Sequence, residues 1–186
     1  MNLPNFLTLV RVVLIPVLVL VWFLPWQYAG ELSALIFVIA ALTDWLDGWL
    51  ARRWKQESAF GAFLDPVADK LIVAAALVLL VDAFDSVLVT LSAIVIIGRE
   101  IVVSALREWM SEIGQRAQVA VGWLGKVKTA SQMLAITICL ALPVKETLLH
   151  PGLWILVVAA LLTLWSMGTY LKAAWRHLIP STTDPD

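Results

Sequence analysis

Cysteine is almost absent from this chain of 186 residues. The single one, Cys139, excludes an internal disulfide and a cysteine metal cluster, and its apolar neighbours mark it as a packing residue. Histidine is nearly as scarce. His150 falls in an expected loop and His177 near the C-terminus, so neither points to a metal site or a catalytic base, and both are expected at the surface. Charge is thin as well: 15% of residues are charged, against roughly 25% in an ordinary soluble domain. A net charge of -1 leaves no overall field toward nucleic acid, and no nucleic-acid partner is expected. The apolar runs do not alternate with polar residues, which argues against a membrane β-barrel. No basic stretch precedes the first apolar run, and Arg11 lies inside it, so that run reads as a retained helix rather than a cleaved signal peptide.

What is present is apolar. Hydrophobic residues make up 61% of the chain and mean hydropathy is +0.90. Several runs reach about 20 residues, enough for a helix to cross ~30 Å of hydrocarbon. The expected fold is all-α and integral to a membrane, one domain over residues 1–178 with six transmembrane helices, followed by a disordered tail at 179–186. The helices are expected near Pro4–Leu24 (with its apolar run from Leu7), Glu31–Trp54, Gly61–Val81, Val87–Met110, Val119–Leu142 and Leu153–Leu178. Residues 82–86 read as a turn, 143–152 as a loop, and 111–118 as a loop or surface helix. If the helices alternate in direction, Arg52, Arg53, Lys55, Arg107, Arg116, Lys126, Lys128, Lys172 and Arg176 share one side, and the other side holds only Lys145. The positive-inside bias puts that basic side, with both termini, in the cytoplasm.

Against this background one stretch is costly. Asp44, Asp47, Asp65 and Asp69 fall where charge costs a few kcal/mol or more per group. Asp44 and Asp47 are three apart and Asp65 and Asp69 four apart, so each pair shares a helix face. The short connection between Arg53 and Gly61 lets the two helices pack antiparallel and bring the acidic faces together. Gly48, Ala51, Gly61, Ala62 and Ala68 permit close approach of backbone or ligand. Converging carboxylates suit a hard divalent cation held together with substrate phosphates, and Arg52 offers planar donors to a phosphate. The competing reading is that these acids cap helices or pair with Arg52, Arg53 and Lys70.

The pattern D-x2-D-G-x2-A-R-x8-G-x3-D-x3-D, complete from Asp44 to Asp69, resembles the signature of the CDP-alcohol phosphatidyltransferase family. The resemblance extends over nearly the whole chain. It implies a six-helix membrane bundle with a polar cavity open to the cytoplasm, and a homodimer. It further implies two divalent ions, Mg²⁺ or Mn²⁺, held by Asp44, Asp47, Asp65 and Asp69, with Asp69 as the base. Gly48, Arg52 and Gly61 would line the site for the head of CDP-diacylglycerol. The segments Asn5–Arg11, Gly98–Glu100 and Leu124–Thr129 resemble bacterial members that use glycerol 3-phosphate as acceptor, which implies a bacterial inner-membrane location among membrane lipids.

Asn5, Thr8 and Arg11 lie roughly a turn apart, either facing the nucleotide or capping and anchoring the first helix. A small, doubly charged acceptor needs cations beside the acids, and Arg99, Lys126 and Lys128 are the candidates, with Arg107 and Arg116 nearer the surface. Lys126 and Lys128 are two apart and meet only if the backbone is irregular or the side chains converge by length. Otherwise they reach out to anionic headgroups. Arg99 has an equally simple alternative in a neutralising pair with Glu100. Within the family, cardiolipin, phosphatidylserine or phosphatidylinositol synthesis would share the acids and differ in the acceptor pocket. Outside it, a cation or proton transporter would spread its acids across the membrane depth.

Overall fold

The computed structural model describes residues 3–54, 59–114, 123–144 and 146–178. Some side chains within these ranges, among them those of Asn5, Asp47, Gly48, Arg52, Lys126 and His177, lie outside the described residues, as does the tail expected at 179–186. Among the described residues six helices follow one another: α1 (Leu3–Trp22), α2 (Ala29–Trp54), α3 (Ala59–Phe84), α4 (Val87–Glu112), α5 (Trp123–Ala141) and α6 (Pro151–Leu178). The described residues include no strand.

The connections are tighter than the sequence suggests. α3 runs on through Asp82 to Phe84, so the expected turn at 82–86 shrinks to Asp85 and Ser86. Asp85 takes the left-handed conformation (φ 41°), which an aspartate tolerates better than most residues, and this reverses the chain in two residues. Pro66 lies well inside α3, past the first turn. α6 begins at Pro151 rather than Leu153, since a proline at the first helical position gives up an N–H that has no intrahelical partner. The loop before it contains a 3-10 turn at Thr147–Leu149.

His150 is buried at 4% exposure, contrary to its expected surface position. The Gly152 N–H donates to its Nδ1 at 3.2 Å, which leaves the proton on Nε2 to donate to the Leu142 carbonyl at 3.3 Å. Its ring also meets Phe84 edge-on, with centroids 4.9 Å apart. The imidazole thus serves backbone groups that the ends of α5 and α6 leave without helical partners.

α1 packs along both α2 and α3, whereas α2 and α3 touch each other only sparsely. α4 packs on α6 and α3, and α5 on α6 and α2. The shared core includes Leu18, Phe37, Leu77, Leu80, Ile96 and Ile136. Outside, the bundle stays apolar on every helix, with Leu20, Leu35, Val78, Ile94, Leu134 and Leu161 exposed. Inside it buries Arg11, Arg99 and Lys128. This distribution inverts that of a water-soluble protein. α4 and the Pro151–Lys172 part of α6 are each long and apolar enough to cross a membrane.

Gly30 sits where α2 passes α5. A Cβ added there would lie 2.7 Å from the Leu140 backbone oxygen, which cannot swing away as a side chain does. Gly30→Ala is therefore expected to cost about 1–3 kcal/mol, read as a lowered thermal midpoint in detergent. Gly168→Ala, whose added carbon meets nothing within 4 Å, should leave the midpoint unchanged or raise it.

Candidate active site

The site is assembled by α1. Thr8 and Arg11 stand one turn apart on this helix, both buried. The Thr8 hydroxyl donates to Asp65 Oδ1 at 2.5 Å, on α3. The Arg11 guanidinium pairs with Asp44 Oδ1 at 2.8 Å, on α2. The acidic faces of α2 and α3 were expected to meet by direct packing. Instead α1 packs against both and bridges them through these two side chains. Asp44 lies within electrostatic reach of Asp65 and Asp69. Gly61 is buried near the start of α3. Asp47, Gly48 and Arg52 continue α2 beyond Asp44, with side chains outside the described residues.

Among the described residues no three acidic, histidine or cysteine side chains gather closely enough to enclose an ion. The donor chemistry nevertheless fits a hard divalent cation, since every acid brought to this point offers carboxylate oxygen and none offers sulfur or nitrogen. Thr8 and Arg11 already fix two of those carboxylates from behind.

One turn beyond Asp65, Asp69 faces a cavity of about 210 Å³. Lys70 of α3, Arg99, Glu100 and Arg107 of α4, Lys128 of α5 and Tyr170 of α6 share its lining. Lys128 Nζ lies 2.6 Å from Glu100 Oε1, and Arg99 Nη1 lies 3.0 Å from the same oxygen. Arg99 also donates through Nη2 to Ser166 Oγ at 3.2 Å, and its guanidinium stands 5.3 Å from the Tyr170 ring centroid. Four cations (Lys70, Arg99, Arg107, Lys128) line the cavity against two carboxylates (Asp69, Glu100), so the lining carries 4 - 2 = +2 when all are ionised. A second recess shares Asp69, Lys70, Glu100 and Arg107 and adds Ser104 and Glu108 between α3 and α4.

Arg99 forms the expected neutralising pair with Glu100 and also lines the cavity. Lys128 does not reach outward to headgroups; its side chain is 2% exposed and turned inward. α5 is regular from Trp123 onward, so the irregular backbone considered for Lys126 and Lys128 is absent. Successive residues on a helix turn by about 100°, which puts these two on different faces. The Lys126 side chain lies outside the described residues. Ser166 and Tyr170 were missed from the sequence. They are four apart on α6, so they share a helix face, and that spacing is the signal that marks them.

An acidic cluster and a cationic cavity thus meet at Asp69. The CDP-alcohol phosphatidyltransferase family profile matches residues 1–175, and the chain belongs to that family. A Sodalis glossinidius protein named CDP-diacylglycerol--glycerol-3-phosphate 3-phosphatidyltransferase is 58% identical over 177 residues, covering 95% of this chain and 96% of its own. Proteins of the same name are similar to it in Salmonella choleraesuis (57% identical, 96% and 97% covered) and Yersinia pestis (54% identical, 96% and 98% covered).

The Thr8 hydroxyl orients a carboxylate that faces the site. Thr8→Val keeps the shape and removes the donor, and turnover is expected to fall about 10-fold. Thr8→Ser, which retains the hydroxyl, is expected to keep most of it. Steady-state rates of the two variants measured side by side check this.

Proposed function

We infer that this chain catalyses the reaction its relatives are named for: transfer of the phosphatidyl group of CDP-diacylglycerol to glycerol 3-phosphate. The observation that carries the acceptor is the cavity. It joins Asp69 of the family motif to a lining with two excess positive charges, which a phosphomonoester dianion balances. Serine and inositol bring no such net charge, and a phosphatidylglycerol acceptor brings one negative charge on a lipid.

In this reading the sn-1 hydroxyl of glycerol 3-phosphate attacks the phosphorus bonded to diacylglycerol. Asp69 takes the hydroxyl proton, the bond to CMP breaks, and phosphatidylglycerol phosphate forms. Arg99 and Lys128 hold the acceptor's phosphate so that its hydroxyl points toward Asp69. Lys126 is a further candidate for that phosphate. Asn5, Thr8, Arg11, Gly48, Arg52 and Gly61 border the donor's head, with Thr8 and Arg11 acting through Asp65 and Asp44. Asp44, Asp47, Asp65 and Asp69 would hold two divalent ions. Such ions, when bound, offset charge on the diphosphate and on departing CMP.

We place the bundle across the bacterial inner membrane as six spans, with the site and both termini toward the cytoplasm. The apolar residues exposed on every helix support this, as does the joining of Asp44, Asp65, Asp69, Arg99 and Lys128 into connected charged clusters rather than scattered sites. That clustering also disfavours a transporter, whose acids would be spread through the depth. A homodimer follows from the family resemblance.

Purified protein given CDP-diacylglycerol and Mg²⁺ or Mn²⁺ should release CMP with glycerol 3-phosphate, and not with serine, inositol or phosphatidylglycerol. Chelation should stop the release. CMP formed with another acceptor in place of glycerol 3-phosphate would reassign the reaction. Asp69→Asn should abolish turnover while equilibrium binding of CDP-diacylglycerol changes little; equal loss of binding would make Asp69 chiefly a ligand.

A further inference from the structure

Glu100 has no role in the reaction as described so far, yet it lines the cationic cavity in contact with two of its cations. One of its oxygens, Oε1, accepts from Lys128 Nζ at 2.6 Å and from Arg99 Nη1 at 3.0 Å. The two cations are nearly sealed from solvent, with side chains 2% and 7% exposed, whereas Glu100 retains 23%. Two buried cations this close would repel each other without an anion between them. Glu100 lies between them and draws both donors to one oxygen.

The two cations are not held alike. Arg99 is fixed from two further directions, by Ser166 Oγ at 3.2 Å and by the Tyr170 ring. The Lys128 ammonium is fixed by Glu100, at the end of a flexible four-carbon stem. An ammonium has three donors and a guanidinium five, so both retain donors for a second anion after serving Glu100.

We propose that Glu100 is the positioning residue for the acceptor: it holds Lys128 beside Arg99 so that the pair presents a ready-made phosphate site next to Asp69. This rests on the acceptor reading above and assigns the role to a carboxylate rather than a cation. Removing its charge adds to the cavity's positive excess, and a purely electrostatic view expects tighter binding of a dianion. Positioning expects the opposite, because the ammonium is no longer held at the site.

Glu100→Gln is therefore expected to raise the KM for glycerol 3-phosphate about 10-fold or more, with the KM for CDP-diacylglycerol within about 2-fold of the parent. Glu100→Asp, which keeps the charge on a shorter stem, should fall between. Lys128→Met should raise the same KM, and Glu100→Gln added to it should contribute little more, since the two act as a unit. An unchanged or lowered KM for glycerol 3-phosphate in Glu100→Gln overturns the proposal, as do an equal rise in both KM values and full additivity with Lys128→Met. If Glu100→Gln does not yield folded protein, Glu100→Asp carries the test on the same two KM values. Failure of the acceptor reading is distinguishable, because the parent enzyme would then release no CMP with glycerol 3-phosphate at all.

Discussion

A charge enclosed by a bundle with an apolar exterior has to find its counter-charge indoors, because neither lipid nor bulk water is there to supply it. This requirement shapes the molecule more than any single hydrophobic contact. Arg11 answers Asp44, and Arg99 and Lys128 answer Glu100. Each answer crosses from one helix to another or anchors a helix that does. The pairs link α1 to α2 and α4 to α5, while the hydroxyls of Thr8 and Ser166 add links from α1 to α3 and from α4 to α6. Buried ion pairs add little net stability once desolvation is counted. Their value here is register, since a bundle of apolar helices offers many packings of similar energy and few that satisfy these groups.

The same groups divide the chemistry. On one side of Asp69 lie carboxylates suited to metal and a diphosphate, and on the other a cationic hollow suited to a free phosphate. Asp69 faces the hollow, and the charges of Asp44, Arg11, Glu100 and Lys70 all act on it. Asp69, the base proposed for the acceptor's hydroxyl, stands at that border. The recess between α3 and α4, with Ser104, Arg107 and Glu108, adjoins the hollow and shares Asp69, Lys70, Glu100 and Arg107 with it.

Much of this was legible in the sequence. Continuous apolar runs gave six helices with ends displaced by a few residues, since a run of leucine and valine has an unmistakable length. The spacing from Asp44 to Asp69 marked the acidic centre, and Arg99 and Lys128 were singled out as cations that needed a reason. What escaped notice depends on tertiary neighbours. Nothing local says that α1 bridges the acidic helices, because Thr8 and Arg11 only acquire meaning beside Asp65 and Asp44. Ser166 and Tyr170 look like isolated polar residues until Arg99 lies against them. His150 looked exposed because it sits in a connection, and only the adjoining helix ends show what its two nitrogens satisfy.

The contact between Thr8 and Asp65 spans 57 residues of chain, and the one between Arg99 and Ser166 spans 67. α1 and α6, far apart in the chain, therefore both contribute side chains to the charged interior. No partial product of translation can carry that interior, however many of its helices have already inserted. Arg99 gains its full set of partners only when α6 packs against α4.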